Sequence, residues 1–371
     1  MTAGGVSVFA VEDTTAQLTW RDLPVGTVLS AGDAAVEVAA DGPGAAVLAG
    51  LPANTSLEVH VAEPERPARV AGRLRTLAPP AGPERCRVAT VSDCHLGGVG
   101  FGQLPRLHHP TGAAVHAACL GAALDEARAW GADLIVVKGD LTQDATPAEW
   151  DEAAALLGPV VDAGVPVEVI PGNHDRRGDD DDAAERLAAA GVRYTVGGVA
   201  CRDLPGLRVL AADVTVPGSH GGLAEPVRDE LVALAGDATT GVLVAIHQQP
   251  QRFRRATHWP PGLRGPDADA LLDGLAAAAP ATLVTAGHTH RHRRRRHGPV
   301  VVTEVGSTKD HPGTWGGYVV HDGGIRQVVR RIADPPALRW TERTRRGYLG
   351  IWGRWSAWTL GTRCFTHPWP T

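Results

Sequence analysis

The 371-residue chain reads as a mostly parallel α/β core finished by antiparallel strands. A small all-β sandwich precedes this core, and a basic, tryptophan-rich segment follows it. Three observations carry the reading. Residues 1–78 alternate apolar and polar side chains between Gly, Pro, Asp and Asn turns and show no helical period. From residue 85 onward, short β-type runs alternate with longer runs of helical apolar spacing. A composition of 43% hydrophobic and 21% charged residues excludes a disordered chain. At roughly 100–200 residues per domain, the length calls for two or three domains.

Taken in order, the first block has candidate strands at 6–11, 17–20, 35–39, 57–61 and 69–77. Leu18-Thr19-Trp20 with Leu23-Pro24, and then the run from Gly50-Leu51-Pro52 to Ser56-Leu57, resemble a fibronectin type III domain. Leu57 stands where that family usually has its corner tyrosine. Residues 79–84, rich in Pro and Gly, read as a stiff linker. A second domain over 85–332 then alternates strands at 87–92, 133–138, 165–170, 207–212, 242–246 and 281–286 with helices. These helices fall near 113–130, 148–163, 183–190, 223–234 and 268–278. Strands at 300–305, 317–321 and 325–331 follow without intervening helices.

Residues 333–371 form the tail, which holds five of the ten Trp (Trp340, Trp352, Trp355, Trp358 and Trp369). From 331 to the end, seven Arg stand against Asp334 and Glu342, so the formal net charge of −5 averages an acidic body with a basic tail. Such a segment suits nucleic-acid bases or a membrane surface, but packing across the core, or seating a second copy of the chain, is the favoured reading. The N-terminal sandwich is the other candidate surface for a homo-oligomer. Five Cys without a C-x-x-C pattern argue against a disulfide framework. With no signal-peptide pattern in residues 1–10 and no long uncharged apolar run, the expected location is the cytoplasm.

Five motifs fall at the C-terminal ends of successive strands. They are Asp93-Cys94-His95, Gly139-Asp140, Gly172-Asn173-His174-Asp175, His247 and Gly287-His288-Thr289-His290. In open α/β sheets ligands bind outside the carboxyl ends of the strands, so these loops are expected to converge. Asp, Asn and His without Cys suit manganese, iron or zinc better than calcium. Two such ions roughly 3.5–4 Å apart can clamp a phosphoryl group. With Asp93, Asp140 and a shared hydroxide, two divalent ions leave the site at a net charge of about +1, suited to a phosphate ester.

This ordered set is similar to the calcineurin-like metallophosphoesterases over roughly 85–332. Within them it most resembles the bacterial class III cyclic-nucleotide phosphodiesterases. The resemblance implies a β-sandwich flanked by helices (α/β/β/α) and a dinuclear centre of divalent or mixed-valence transition metals. It implies that Asp93, His95 and His290 bind one metal, that Asp140 bridges, and that Asn173, His247 and His288 bind the other. It further implies His174 as general acid or transition-state stabiliser, with Asp175 orienting it. The implied reaction is in-line attack on a phosphodiester, cyclic nucleotides included, by a hydroxide shared between the metals. Phosphomonoesters, nucleotide pyrophosphates or nucleic-acid ends are the alternative substrates, and a non-catalytic scaffold is the alternative function.

Two departures bear on the substrate. Gln143 follows Gly139-Asp140-Leu141-Thr142 where an Asp is common, and it stands where purple acid phosphatases carry their tyrosine. Gln248-Gln249-Pro250 follows His247 where the resembling enzymes commonly continue with His and Pro. The run from Arg291 to His297 reads either as an anion clamp, with Arg291 and Arg293 on substrate, or as a solvated loop. His108-His109, after the first motif, reads as a solvent-facing pair or a border of the pocket. Asp179–Asp182 precede a helix and favour its positive N-terminal end.

Overall fold

The computed structural model describes residues 5–101, 112–219 and 222–370; the pair His108-His109 lies outside them. Seven short strands come first: β1 (Ser7–Val11), β2 (Thr15–Trp20), β3 (Val28–Ala31), β4 (Ala34–Glu37), β5 (Gly44–Ala49), β6 (Ser56–Ala62) and β7 (Arg69–Arg75). Antiparallel pairing sorts them into a three-stranded sheet, β1-β2-β5, and a four-stranded sheet, β4-β3-β6-β7. Leu18 and Leu48 from the first sheet and Leu29, Val59 and Val61 from the second are buried together.

The larger body begins with β8 (Glu84–Val91), α1 (Ala113–Ala129), β9 (Leu134–Lys138), α2 (Pro147–Asp162), β10 (Val167–Ile170), α3 (Asp180–Ala189) and β11 (Arg193–Tyr194). It continues with β12 (Val199–Leu204), β13 (Leu207–Ala212), α4 (Glu225–Gly236), β14 (Gly241–Ala245), α5 (Gly265–Ala278), β15 (Thr282–Ala286), β16 (Arg293–His297) and β17 (Val300–Glu304). The hairpin β18 (Thr314–His321) and β19 (Gly324–Arg331) precedes α6 (Pro335–Thr344), α7 (Ile351–Trp355), α8 (Leu360–Arg363) and β20 (Phe365–Pro368).

Two sheets result, ordered β11-β10-β9-β8-β18-β19-β20 and β12-β13-β14-β15-β17-β16. Period-two alternation decides which face each residue serves. Val88, Leu134, Val136, Leu243, Leu283 and Tyr318 fill the space between the sheets. The intervening Ile135 and Val137 pack in one cluster with Leu120 and Leu124 of α1 and Leu157 of α2. Val242, Val244 and Val284 pack with Leu231 of α4 and Leu271 and Leu275 of α5. The architecture is the expected helix–sheet–sheet–helix sandwich, and the parallel runs β8-β9-β10 and β13-β14-β15 each end their strands on one side.

The sequence reading does not include β3, β5 and β11, nor three further strands of the larger body. Residues 293–297 are not a loop: they pair antiparallel with β17 as the outer strand of the six-stranded sheet. A guanidinium row on an edge strand opposes edge-to-edge association. β20 pairs with β19 and closes the seven-stranded sheet, so the end of the tail is built into the core fold. β12 pairs antiparallel with β13 as an edge hairpin. Each is four to six residues long and lacks apolar alternation.

The N-terminal sandwich is tied to the body by polar contacts. Arg326 pairs with Glu12 and Asp13, and Gln17 reads the Arg331 backbone in both directions, at 2.7 and 2.8 Å. Among the described residues no helix is long and apolar enough to cross a membrane. All five cysteines are free.

Candidate metal centre

The loops after β8, β9, β10, β14 and β15 deliver the motif residues to one place. Asp93 N–H donates to the Gly139 carbonyl (3.0 Å), His95 N–H to Asp140 (2.9 Å) and Leu96 N–H to Leu141 (2.9 Å), so the first two loops are zipped together. Gly139 has φ +80°, and a Cβ there would lie 2.6 Å from Gly172 N and 2.7 Å from His247 Nδ1. Glycine is what lets three of these loops meet. Asp93, His95, Asp140, His288 and His290 all take left-handed φ values between 50° and 67°. Each costs about 1–2 kcal/mol. Backbone strain gathered on the chemistry-bearing residues is a mark of a functional site.

Three sets of ligating atoms lie within 4.8 Å of one another: Asp93, His95 and His290; His95, Asp140 and His174; Asp140, His247 and His288. Asp140 Oδ2 lies 3.4 Å from His247 Nε2 and 3.7 Å from His95 Nε2, so one carboxylate serves both halves. Asp93 Oδ1 lies 3.2 Å from His290 Nε2. Its two oxygens accept the His288 N–H, and the Ser92 hydroxyl donates to one of them at 2.6 Å.

The outer nitrogen of each imidazole has an oxygen partner. His95 Nδ1 faces Gln143 Oε1 (3.1 Å), His247 Nδ1 the Lys138 carbonyl (2.8 Å), His288 Nε2 the Pro261 carbonyl (3.1 Å) and His290 Nδ1 the Asp310 carboxylate (2.5 Å). These acceptors fix the tautomers and aim the inner lone pairs into the cleft. There His247 Nε2 and His288 Nδ1 stand 3.1 Å apart, and His95 Nε2 and His290 Nε2 stand 3.3 Å apart. Asn173 Oδ1 is buried with no hydrogen-bond partner among the described residues. Converging lone pairs and an orphaned amide oxygen are what bound cations satisfy, so these residues fit a dinuclear transition-metal centre.

The electrostatics agree. Burial alone would favour neutral acids, yet His290 beside Asp93 and His247 beside Asp140 hold both carboxyls below the usual range. Burial opposes charge on the imidazoles too, but Asp140 pushes His247, and Asp93 pushes His290, up to about 9. His288, buried next to His247, is pushed down to about 3. The two buried carboxylates draw positive charge into the cleft.

The remaining expected residues fall as follows. His174 is half-buried, its N–H donates to Asp140 Oδ1 (2.9 Å), and its ring Nδ1 meets the Gln143 carbonyl (2.7 Å). Its ring lies edge-on to His95, with centroids 4.5 Å apart. Asp175 is buried and does not orient that ring through a hydrogen bond. Its carboxylate accepts from Leu141 N–H, Thr142 N–H, the Thr142 hydroxyl and Gly172 N–H, bracing two of the loops. Arg291 pairs with Glu304 at 2.6 Å, lies over Trp355 and bonds His258. Arg293 lies over Trp355 and Trp358 and donates to the His292 and Trp355 carbonyls. Both arginines thus meet the tail and the fold's own acceptors.

Sequence reasoning missed Gln143, Asp310 and the loop carbonyl of Pro261. Gln143 was visible only as a departure from a pattern, and nothing near Asp310 in the sequence points to His290.

The calcineurin-like phosphoesterase family model matches residues 86–292. A probable cyclic nucleotide phosphodiesterase of Rhodococcus erythropolis is 32% identical over 156 residues, covering 38% of this chain and 50% of that protein. Another, from Synechococcus, is 28% identical over 160 residues, covering 43% and 58%. The chain thus spans little more than half the length of the curated relatives it matches. A dimetal phosphatase from Danio rerio shares the fold, with a TM-score of 0.54 and 14% identity over 78% of this chain and 100% of that one. With the family model covering more than half of the chain, over the very loops that build the histidine and aspartate cluster, the protein belongs to the calcineurin-like phosphoesterase family.

Proposed function

We propose that the chain is a two-metal phosphoesterase hydrolysing phosphodiesters, with cyclic nucleotides as the reference substrate class. The observation that carries this is the set of four imidazoles whose outer nitrogens are all engaged and whose inner nitrogens converge around Asp93 and Asp140. Asp93, His95 and His290 would hold one ion, Asn173, His247 and His288 the other, and Asp140 both. When bound, such ions supply Lewis acidity that makes water nucleophilic near neutral pH and offsets charge on the phosphoryl oxygens.

The chain's own groups supply the rest. The Gln143 carbonyl takes the His174 Nδ1–H, so the doubly protonated ring would give its Nε2 proton to the leaving oxygen and end as the neutral Nδ1–H tautomer. Asp175 is a positioning residue that holds the Leu141–Thr142 and Gly172 backbones in place. The printed names of the two curated relatives support a diester rather than a monoester substrate.

The test uses the manganese-loaded protein with bis-p-nitrophenyl phosphate and p-nitrophenyl phosphate. The diester is expected to be the faster substrate, and Asp140→Ala is expected to abolish its turnover together with bound metal. Full activity in Asp140→Ala would overturn the reading. His174→Ala is expected to lower kcat by about 10²–10⁴ with metal content retained. Parallel loss of metal would make His174 a ligand instead.

A further inference from the structure

We propose that the tail docks this protein on an anionic lipid surface, with Leu349 and Ile351 entering the bilayer interface and the flanking Arg346 and Arg354 meeting its headgroups. The proposal goes beyond the phosphoesterase reading and does not depend on it.

Its first support is an apolar tip held out in solvent. Between α6 and α7, Leu349 is fully exposed and Ile351 is 65% exposed. Tyr348, Leu349 and Gly350 take consecutive left-handed φ values of 49°, 58° and 85°, a conformation that disfavours L-residues. The turn is nonetheless fixed. Gly350 N–H donates to the Arg346 and Gly347 carbonyls (3.1 and 3.0 Å), and Gly353 N–H donates to the Arg345 carbonyl (3.2 Å). Behind it, Tyr348 and Trp352 pack on Phe101 with ring centroids 5.8 and 5.2 Å away, and Trp352 meets Trp355 at 5.4 Å. Trp340 is buried, and Trp358 carries the Arg293 guanidinium over its ring. The fold thus engages the tail's aromatics and leaves its aliphatics outermost. Leu349 and Ile351 border the same cleft between tail and N-terminal sandwich as Arg354, so apolar and cationic side chains are grouped there rather than scattered.

Its second support is charge. Arg346 stands three residues before Leu349 and Arg354 three after Ile351, and both are exposed. Glu342 is the last acidic residue of the chain, and it is engaged by Arg331 (2.9 Å) and Arg345 (2.7 Å). Residues 343–371 hold five Arg and no Asp or Glu. Among the described residues, no carboxylate pairs with Arg346 or Arg354. The two features together select the occupant. Nucleic-acid bases stack on flat rings, whereas the outermost side chains here are aliphatic. A second copy across a two-fold axis would set the same guanidinium groups against one another. An anionic bilayer takes an apolar tip into its interface and supplies phosphates to the guanidinium groups around it.

The experiment uses the full chain loaded with manganese and vesicles of phosphatidylcholine, alone or with about one-third phosphatidylglycerol. Co-sedimentation is expected to show partition about tenfold or more in favour of the anionic vesicles, and to weaken as salt is raised. Arg346→Ser with Arg354→Ser is expected to lower that partition by about fivefold for each guanidinium group removed. Leu349→Ser with Ile351→Ser is expected to lower it by about tenfold or more while leaving its salt dependence in place. All four side chains are exposed, so the urea midpoints of both variants are expected to match the parent's. Equal partition to neutral and anionic vesicles, or unchanged partition in either variant, would overturn the proposal. So would self-association, or binding of a deoxythymidine oligomer, that is lost in the same variants while vesicles go unbound. Vesicle binding without turnover of any diester would leave the docking surface standing and overturn the phosphoesterase reading instead.

Discussion

Each histidine of the cluster is held by the oxygen behind it, and this makes the outer partners as consequential as the ligands. Asp310 is the clearest case. Its carboxylate meets His290 Nδ1 on one side and the Lys309 ammonium on the other. Burial would raise its pKa, but Lys309 and His290 hold it well below the carboxylate range, so it stays ionised and keeps the imidazole basic. Asp310→Asn is therefore expected to weaken metal binding by about 10–100-fold, read as the apparent Kd for manganese, with the folded state retained. Gln143 shows the limit of pattern reading at this scale. As a letter it only breaks a familiar motif. In the fold its amide oxygen aims His95 and its carbonyl aims His174.

At the scale of elements, loops are fixed by the caps of the helices that follow them. Thr146 caps α2 in a reciprocal capping box with Glu149. The same Glu149 carboxylate accepts from Asp144 N–H and Thr146 N–H, each at 3.0 Å. This fastens the turn that carries Gln143. Thr146→Ala is expected to cost about 1 kcal/mol, measurable as a lowered urea midpoint. Asp179 caps α3 with its own carboxylate, accepting from Asp181 and Asp182 N–H, and the acidic run stands at the helix's positive N-terminal end. The helices and the buried parallel strands were legible because their periodicities are strong and long. β16 and β20 were not. A strand of arginines and a four-residue strand containing Pro368 carry no apolar signal, and only pairing with β17 and β19 makes them strands.

At the scale of the whole molecule, the tail is fastened to the body along a seam that contains buried histidines. His292 N–H donates to Ser356, His311 lies 3.9 Å from Glu342 of α6, and His367 sits on β20. Burial, with nearby arginines, holds His292 and His311 well below the usual imidazole range and His367 at about 4. Their folded-state values lie below the unfolded value of about 6.5, so unfolding takes up protons as the pH falls. The stability they contribute is complete above about pH 6.5 and is lost from there toward pH 4. Each group adds a slope of at most about 1.4 kcal/mol per pH unit. Urea midpoints are expected to fall between pH 7 and pH 5, and His311→Gln is expected to flatten that slope.

The sequence by itself determined the class of chemistry. The metal-ligating types stand in five short motifs at strand ends, and parallel α/β architecture brings strand ends together. It also determined the alternation of strands and helices, through apolar periodicity, while the two-sheet sandwich was implied only by the family resemblance. Tertiary structure alone decided what each charge does. Arg291 meets Glu304 and the tail's Trp355, Arg293 lies over the same Trp355 and over Trp358, and the Arg252–Arg255 stretch is left exposed. Asp310 reaches His290 and Pro261 reaches His288 across turns with no local pattern. A ligand motif is encoded over a few residues, whereas a charge's partner depends on which distant segment folds against it, and that information is not local.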